Sequence, residues 1–262
     1  MLDCFAGEGG AAMGYFQAGW FVYCVDNDPT RLANNPFPSH CGDVLVVMAR
    51  LNAGGSVDFT HPDGRVEWKR KGDFKAIHGS PTCTGYSRGT TSIPDRFDKY
   101  DRFIPVARAL FIESGLPYVI ENVEDAGDEL LEPSLLCGRM FGLGATDDDG
   151  TPLVLDRHRL FESNVALTVP QHRKHSKKPL PGTPPCVCGK THFQVAGLYG
   201  GARRDKYAAR HVRRGGYVPP NLEVLRALNG TPWTTEKGTF LAIPPVYTRF
   251  LGRQLLNYLE TS

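Results

Sequence analysis

The chain has 262 residues, 41% hydrophobic and 22% charged, with a formal net charge of +2. That length suits one domain, or a large domain with a small companion, and it buries a sizeable core without staples. No apolar stretch approaches the ~20 residues that span a bilayer, no charged-then-apolar leader opens the chain, and composition excludes collagen, coiled coil and wholesale disorder.

The elements follow in chain order. Only Met1 and Leu2 precede Asp3, so a first strand here is unusually short, and the glycine-rich turn Asp3-Cys4-Phe5-Ala6-Gly7-Glu8-Gly9-Gly10 leads into a helix over residues 11–18. Residues 21–25 form a short apolar run ending in acids, suited to a buried parallel strand. Residues 43–48 read equally as strand or helix. Residues 57–61 and 65–69 alternate apolar with polar around Pro62-Asp63-Gly64, a hairpin signal, and predict a surface ribbon of structural rather than DNA-edge use. Strands are expected over 74–78 and 118–120, with helical spacing over 104–114 between them. This repeated βαβ order predicts a mostly parallel sheet with helices on both faces. From 170 to 185 the chain is rich in proline, lysine and histidine. Helices resume over 221–228 and 248–259.

The charge is unevenly spread. Residues 165–220 hold 11 Lys or Arg against one acid, Asp205, a local charge of +10 that leaves −8 on the remainder. An acidic body with a basic segment suits a nucleic-acid-binding enzyme, the alternative being a solvated loop. The seven cysteines are odd in number and lack a disulfide rhythm, which points to free thiols in a reducing compartment.

Three places carry chemistry. The Asp3–Gly10 turn lets backbone approach a ligand at the end of a parallel strand, and about twenty residues on sit Asp26 and Asp28, acids suited to ribose hydroxyls. Gly79-Ser80-Pro81-Thr82-Cys83-Thr84-Gly85-Tyr86-Ser87 puts a cysteine just beyond another strand, where a thiolate serves as nucleophile and an inert buried thiol is the plainer reading. Glu121, in Val119-Ile120-Glu121-Asn122-Val123, ends a third strand and suits proton exchange with a ring nitrogen, or is an ordinary surface glutamate.

In this order the three elements resemble the C5-cytosine DNA methyltransferases. Arg157-His158-Arg159 and the tail Ala242-Ile243-Pro244-Pro245-Val246-Tyr247-Thr248, running on through Gly252, extend the match. It covers nearly the whole chain except the hairpin and residues 165–220, and looks most like the small stand-alone members of bacteria and their viruses. The resemblance implies an α/β chain: a Rossmann-like S-adenosylmethionine-dependent methyltransferase sheet with a small irregular target-recognition domain. The division it implies is 1–163 catalytic, 164–220 basic and target-recognising, and 221–262 returning to the catalytic domain.

What the family does then transfers residue by residue. The target cytosine is extruded from the duplex. Cys83 attacks its C6, and Glu121 holds N4–H and supplies a proton at N3. Arg157 and Arg159 lie beside the target nucleotide. Phe5, Gly7, Gly9 and Gly10 face the methionine side of S-adenosylmethionine. Asp26 takes the ribose hydroxyls, Asn27 lies near the adenine, Asp43 receives its amino group, and Ala242 and Ile243 close the pocket. Ser87 contacts DNA, and Arg203, Arg204, Arg213 and Arg214, beside the pairs Gly200-Gly201 and Gly215-Gly216, read guanine edges. The expected partner is double-stranded DNA, bound by a monomer in the cytoplasm of a bacterium or a phage-infected cell. No membrane role is expected.

Departures are visible. Thr82 and Thr84 replace the family's second proline and glutamine around the cysteine, and Phe240-Leu241 replaces its usual Gly-Asn. The rivals are the same chemistry on RNA, a catalytically weak or inactive DNA-binding homologue, and an amino-methyltransferase. The last is disfavoured because Ser80-Pro81-Thr82-Cys83 lacks its second proline and aromatic. His172, His175, Cys186, Cys188 and His192 offer five zinc ligands, but C-x-C is not a common finger spacing. Free thiols and phosphate-facing histidines are the favoured reading, so no metal ligand is assigned.

Overall fold

The computed structural model describes residues 1–83, 85–86, 102–175, 178, 181–183, 185, 189, 191, 195–198 and 217–261. In chain order the first half holds β1 (Leu2–Cys4), α1 (Gly10–Ala18), β2 (Tyr23–Asp26), α2 (Pro29–Leu32), β3 (Ser39–Cys41), α3 (Val44–Asn52), β4 (Ser56–Thr60), β5 (Val66–Arg70), β6 (Ile77–Gly79), α4 (Phe103–Ser114) and β7 (Tyr118–Asn122). There follow β8 (Ser134–Leu136), β9 (Gly144–Thr146), β10 (Pro152–Leu155), β11 (Arg159–Ser163), β12 (Val195–Ala196), α5 (Leu222–Asn229), α6 (Glu236–Leu241) and α7 (Pro245–Thr261).

The main sheet runs β5-β4-β3-β2-β1-β6-β7-β11-β8. Strands β3, β2, β1, β6 and β7 are parallel, the β4–β5 hairpin extends one edge, and β11 with β8 extends the other antiparallel. The chain leaves β1 outward through β2 and β3, then returns to β6 on the other side of β1. That reversal is the switch point where open α/β sheets bind ligands, at the carboxyl ends of their strands.

Central strands bury both faces, and alternation divides the core between them. Leu2, Val25 and Ile120 face α3 and α4, whereas Cys24 and Val119 face α1 and α7. In α3 the buried residues Val44, Val47, Met48 and Leu51 recur at helical spacing, and the Asp43 side chain caps it by accepting from Leu45 N at 2.7 Å. This resolves the ambiguous 43–48 run as helix. The first and last helices touch almost backbone to backbone: a Cβ on Gly14 would lie 2.0 Å from Pro245 O. Thr248 Oγ1 also donates to Ala11 O at 2.8 Å.

Two strands start later than their apolar runs suggest. Phe21 is 86% exposed and its carbonyl takes the Met1 amino group at 2.9 Å, so β2 begins at Tyr23. Likewise β6 begins at Ile77, where pairing with Leu2 becomes available. The short first strand and the hairpin both appear, with Gly64 at φ 85 in the turn. A second sheet, β12-β10-β9, packs Leu153 and Leu155 against Leu225 and Leu228 of α5. Among the described residues no helix is long and apolar enough to cross a membrane.

Candidate active site

The chain leaves β1 through a turn of left-handed conformations: Phe5 (φ 59), Gly7 (φ 53) and Gly9 (φ 83). Phe5 pays for its geometry with backbone strain, as residues at functional turns often do. Asp26, at the end of β2, fastens this turn. Its Oδ2 accepts from Gly7 N at 2.8 Å and its Oδ1 from Asp28 N at 2.9 Å. A Cβ on Gly7 would meet nothing within 4 Å, so the turn leaves its inner side open.

That open side borders a cavity of about 440 Å³ at the carboxyl ends of the strands. Phe5, Gly7, Gly10, Asp26, Asn27 and Asp43 line it from β1, β2, β3 and the turns that follow them. Ala242 and Ile243 come from the tail, and a Cβ on Gly10 would lie 2.7 Å from Ile243 O. Cys83, Glu121 and Arg159 line it from the β6, β7 and β11 side of the switch point. Gly9 does not line it: it caps α1 in the left-handed region, with Asn35 Oδ1 3.0 Å from where its Cβ would be.

The Cys83 end of the cavity is electrostatically coupled. Glu121 is 4% exposed, and burial raises its pKa above the usual carboxylate range although Arg159, the Ser80 hydroxyl and Arg157 pull it down. Arg159 Nε lies 2.9 Å from Glu121 Oε1. Burial also raises the Cys83 thiol, with Arg159 opposing and Glu121 reinforcing the shift. Burial thus shifts both groups toward their protonated forms, and the Arg159 guanidinium opposes both shifts. The loop carrying Cys83 is pinned by Asn122, whose Nδ2 donates to Pro81 O at 2.9 Å.

Several contributors carry no sequence signal beyond lying near a motif. His78 is fully buried, 3.0 Å from Tyr15 OH through Nδ1 and 2.9 Å from Ser80 Oγ through Nε2, which links α1 to the Glu121 neighbourhood. Desolvation lowers the His78 pKa to about 3, so the ring is neutral. Asp3 lines the cavity fully buried, and desolvation pushes its carboxyl well upward. Glu8 accepts from Thr235 N at 2.7 Å and Thr235 Oγ1 at 2.6 Å, which ties the first turn to the tail.

Arg157 and Arg159 part company. Arg157 is buried and absent from the cavity lining. Its Nη1 donates to Leu198 O at 2.9 Å, and its Nη2 to Phe240 O at 2.8 Å and Ala242 O at 2.7 Å. It holds the tail that covers Gly10. Ser87, Arg203, Arg204, Arg213 and Arg214 lie outside the described residues, as do Cys186, Cys188 and His192. His172 and His175 are described, and the chain brings them to Cys137 and His158.

No protein-family model matches the sequence, and no curated protein matches it. Solved structures do. A putative DNA modification methyltransferase encoded within an Escherichia coli prophage superposes at TM-score 0.53 and 13% identity, covering 99% of each chain. The Dnmt2 methyltransferase of S. pombe superposes at TM-score 0.53 and 14% identity, covering 98% of each chain. At such identity the likeness speaks for the fold. With the strand order and switch-point cavity, it gives this chain a Rossmann-like sheet of the kind seen in those two structures.

Proposed function

We propose that this chain transfers a methyl group from S-adenosylmethionine to C5 of cytosine in DNA, through a transient bond between Cys83 and a base extruded from the duplex. One observation carries the reading: Cys83, Glu121 and Arg159 share a single cavity with the β1 turn, Asp26 and Asp43. The fold likeness and the Asp3–Gly10, Cys83 and Glu121 motifs support the same chemistry.

The cavity fits the donor by its chemistry. Gly7 and Gly10 keep its wall free of side chains, Asp26 and Asp43 offer acceptors for ribose and adenine groups, and Phe5 offers an aromatic face. Both carboxylates already serve the fold, Asp26 in the turn and Asp43 at the cap, but a carboxylate accepts up to about four hydrogen bonds. When bound there, S-adenosylmethionine supplies an electrophilic methyl carbon on its sulfonium.

The chain's own groups then prepare the ring. Cytosine C5 is a poor nucleophile, so Cys83 sulfur, once deprotonated, bonds to C6 and shifts the electron pair toward C5. Glu121, whose pKa burial raises, donates a proton at N3 and offsets the charge that develops there. Arg159 holds Glu121 in place and favours the thiolate. After C5 is methylated, water takes the C5 proton, the Cys83 sulfur departs with its bonding pair, and the N3 proton returns to Glu121, which restores the aromatic ring. The basic 164–220 segment, with Arg203, Arg204, Arg213 and Arg214, then serves as target reader, and Ser87 as a further DNA contact.

The test is sequencing for 5-methylcytosine in DNA and RNA from cells expressing the wild type or Cys83→Ser. Methylation of DNA at a defined site, absent with Cys83→Ser, is the expected result. A duplex containing 5-fluorocytosine should also trap the wild type alone, because fluorine cannot leave as the C5 proton does. Methylation confined to RNA, or unaffected by Cys83→Ser, overturns the assignment.

A further inference from the structure

We propose that Cys137, His158, His172 and His175 bind one zinc ion, which fastens the chain beyond β11 to the edge of the catalytic sheet. The four ligand atoms lie within 4.8 Å of one another, the one such Cys-and-His group among the described residues. His175 Nε2 is 3.1 Å from Cys137 Sγ, 3.0 Å from His172 Nε2 and 3.4 Å from His158 Nε2. Tetrahedral zinc, with Zn–N of about 2.0–2.1 Å and Zn–S of about 2.3 Å, sets ligand-to-ligand edges of about 3.3–3.6 Å. The observed spacing is close to that of a coordination shell, and three imidazoles with one thiolate form a donor set that suits zinc.

Proton accounting points the same way. His158 Nδ1 lies 2.9 Å from Glu124 Oε2, and His175 Nδ1 lies 3.0 Å from Asp156 Oδ2. A carboxylate only accepts, so both rings carry their proton on Nδ1 and turn a bare Nε2 lone pair inward. These inward lone pairs then face each other at 3.4 Å, and the donors beside His175 Nε2 are the Cys137 thiol at 3.1 Å and His172 Nε2 at 3.0 Å. Doubly protonated rings would set like charges against each other instead. A cation at the centre satisfies every group, and outer carboxylates on ligating histidines are what orient such rings. Asp156 is itself held by an ion pair with Arg139.

Binding replaces the Cys137 S–H bond by a Zn–S bond and releases that proton to solvent. Four protein ligands leave no open position, so the ion is structural. Its placement gives it a consequence. Cys137 follows β8, His158 sits between Arg157 and Arg159, and His172 and His175 come after β11. The ion therefore anchors the backbone from which Arg159 reaches Glu121.

Elemental analysis of the full chain, purified without chelator or metal-affinity resin, tests this, followed by reconstitution with zinc chloride. About one zinc per chain is expected in the wild type and in Cys186→Ser/Cys188→Ser, and almost none in His172→Ala/His175→Ala. Circular dichroism checks that the variants stay folded. Cobalt(II) reconstitution should give the visible bands of a tetrahedral site with a thiolate charge-transfer band, and Cys137→Ser should lose the latter. A wild type that takes up no zinc even after reconstitution overturns the proposal. So does zinc that survives in His172→Ala/His175→Ala or leaves with Cys186→Ser/Cys188→Ser alone.

Discussion

Replacing Arg157 by methionine separates two roles for that side chain. The family resemblance sets it beside the target nucleotide, whereas its guanidinium donates at 2.7–2.9 Å to the carbonyls of Leu198, Phe240 and Ala242. Methionine fills most of the stem but strands the Leu198 and Phe240 carbonyls, while Ala242 O keeps Asn229 Nδ2 at 3.3 Å. At about 1–2 kcal/mol for each stranded carbonyl, the loss is about 2–4 kcal/mol. Burial works against the charge, lowering the Arg157 pKa to about 9. Relief of that opposition offsets part of the loss and leaves about 1–3 kcal/mol of destabilisation. For a chain of this size that is a fall in melting midpoint of about 2–12 °C. Calorimetry of wild type, Arg157→Met and Arg157→Lys measures it, with DNA affinity determined below every midpoint. Lysine keeps the charge but not the fork, so it should recover only part of the midpoint. An unchanged midpoint with DNA affinity lost would refute the tail-holding role and restore the nucleotide-facing one.

Two further outcomes follow from the buried titrating groups. Glu121→Gln removes a charge that raises the Cys83 thiol and frees Arg159 to lower it. Alkylation of Cys83 by iodoacetamide, read by peptide mass, should therefore speed up by about three- to tenfold near neutral pH. Methyl transfer should fall by about a hundredfold or more. Slower alkylation would show that Glu121 does not oppose the thiolate. For His78, the folded pKa of about 3 lies below the ordinary 6.5, so the unfolded chain takes up a proton that the folded one refuses. Its contribution is full above pH 6.5 and is lost as pH falls toward 3, about 2 kcal/mol of it between pH 7 and 5. Denaturant titrations at both pH values should show that loss shrinking in His78→Gln; an identical loss in the variant would exclude His78 as its source.

Much of the candidate site was legible because parallel strands impose a rule on their loops. Whatever follows the carboxyl ends of β1, β2, β6 and β7 gathers along one rim, so the Asp3–Gly10 turn, Asp26, Cys83 and Glu121 were each readable as strand-end residues from the βαβ pattern, and the family resemblance grouped them. The helix-or-strand question at 43–48 lay beyond such reading, since short apolar runs suit both until the Asp43 cap and the buried face of α3 select one. His78 gave no sign either: an isolated histidine in a short strand acquires partners only when α1 packs over it.

Arg157 and the cluster of Cys137, His158, His172 and His175 show where local pattern stops. Residues two apart on a strand share a face, yet Arg157 precedes β11 at φ 32 and its guanidinium turns into the tail while Arg159 faces Glu121. Spacing grouped His172 and His175 with Cys186, Cys188 and His192, which lie outside the described residues; packing brings the two histidines to Cys137 and His158. Local alternation, caps and glycine turns are written into neighbouring residues and can be read along the chain. Which distant side chains share a cavity, a carbonyl or a cation depends on how the sheet edge folds back, and no interval between residues encodes that.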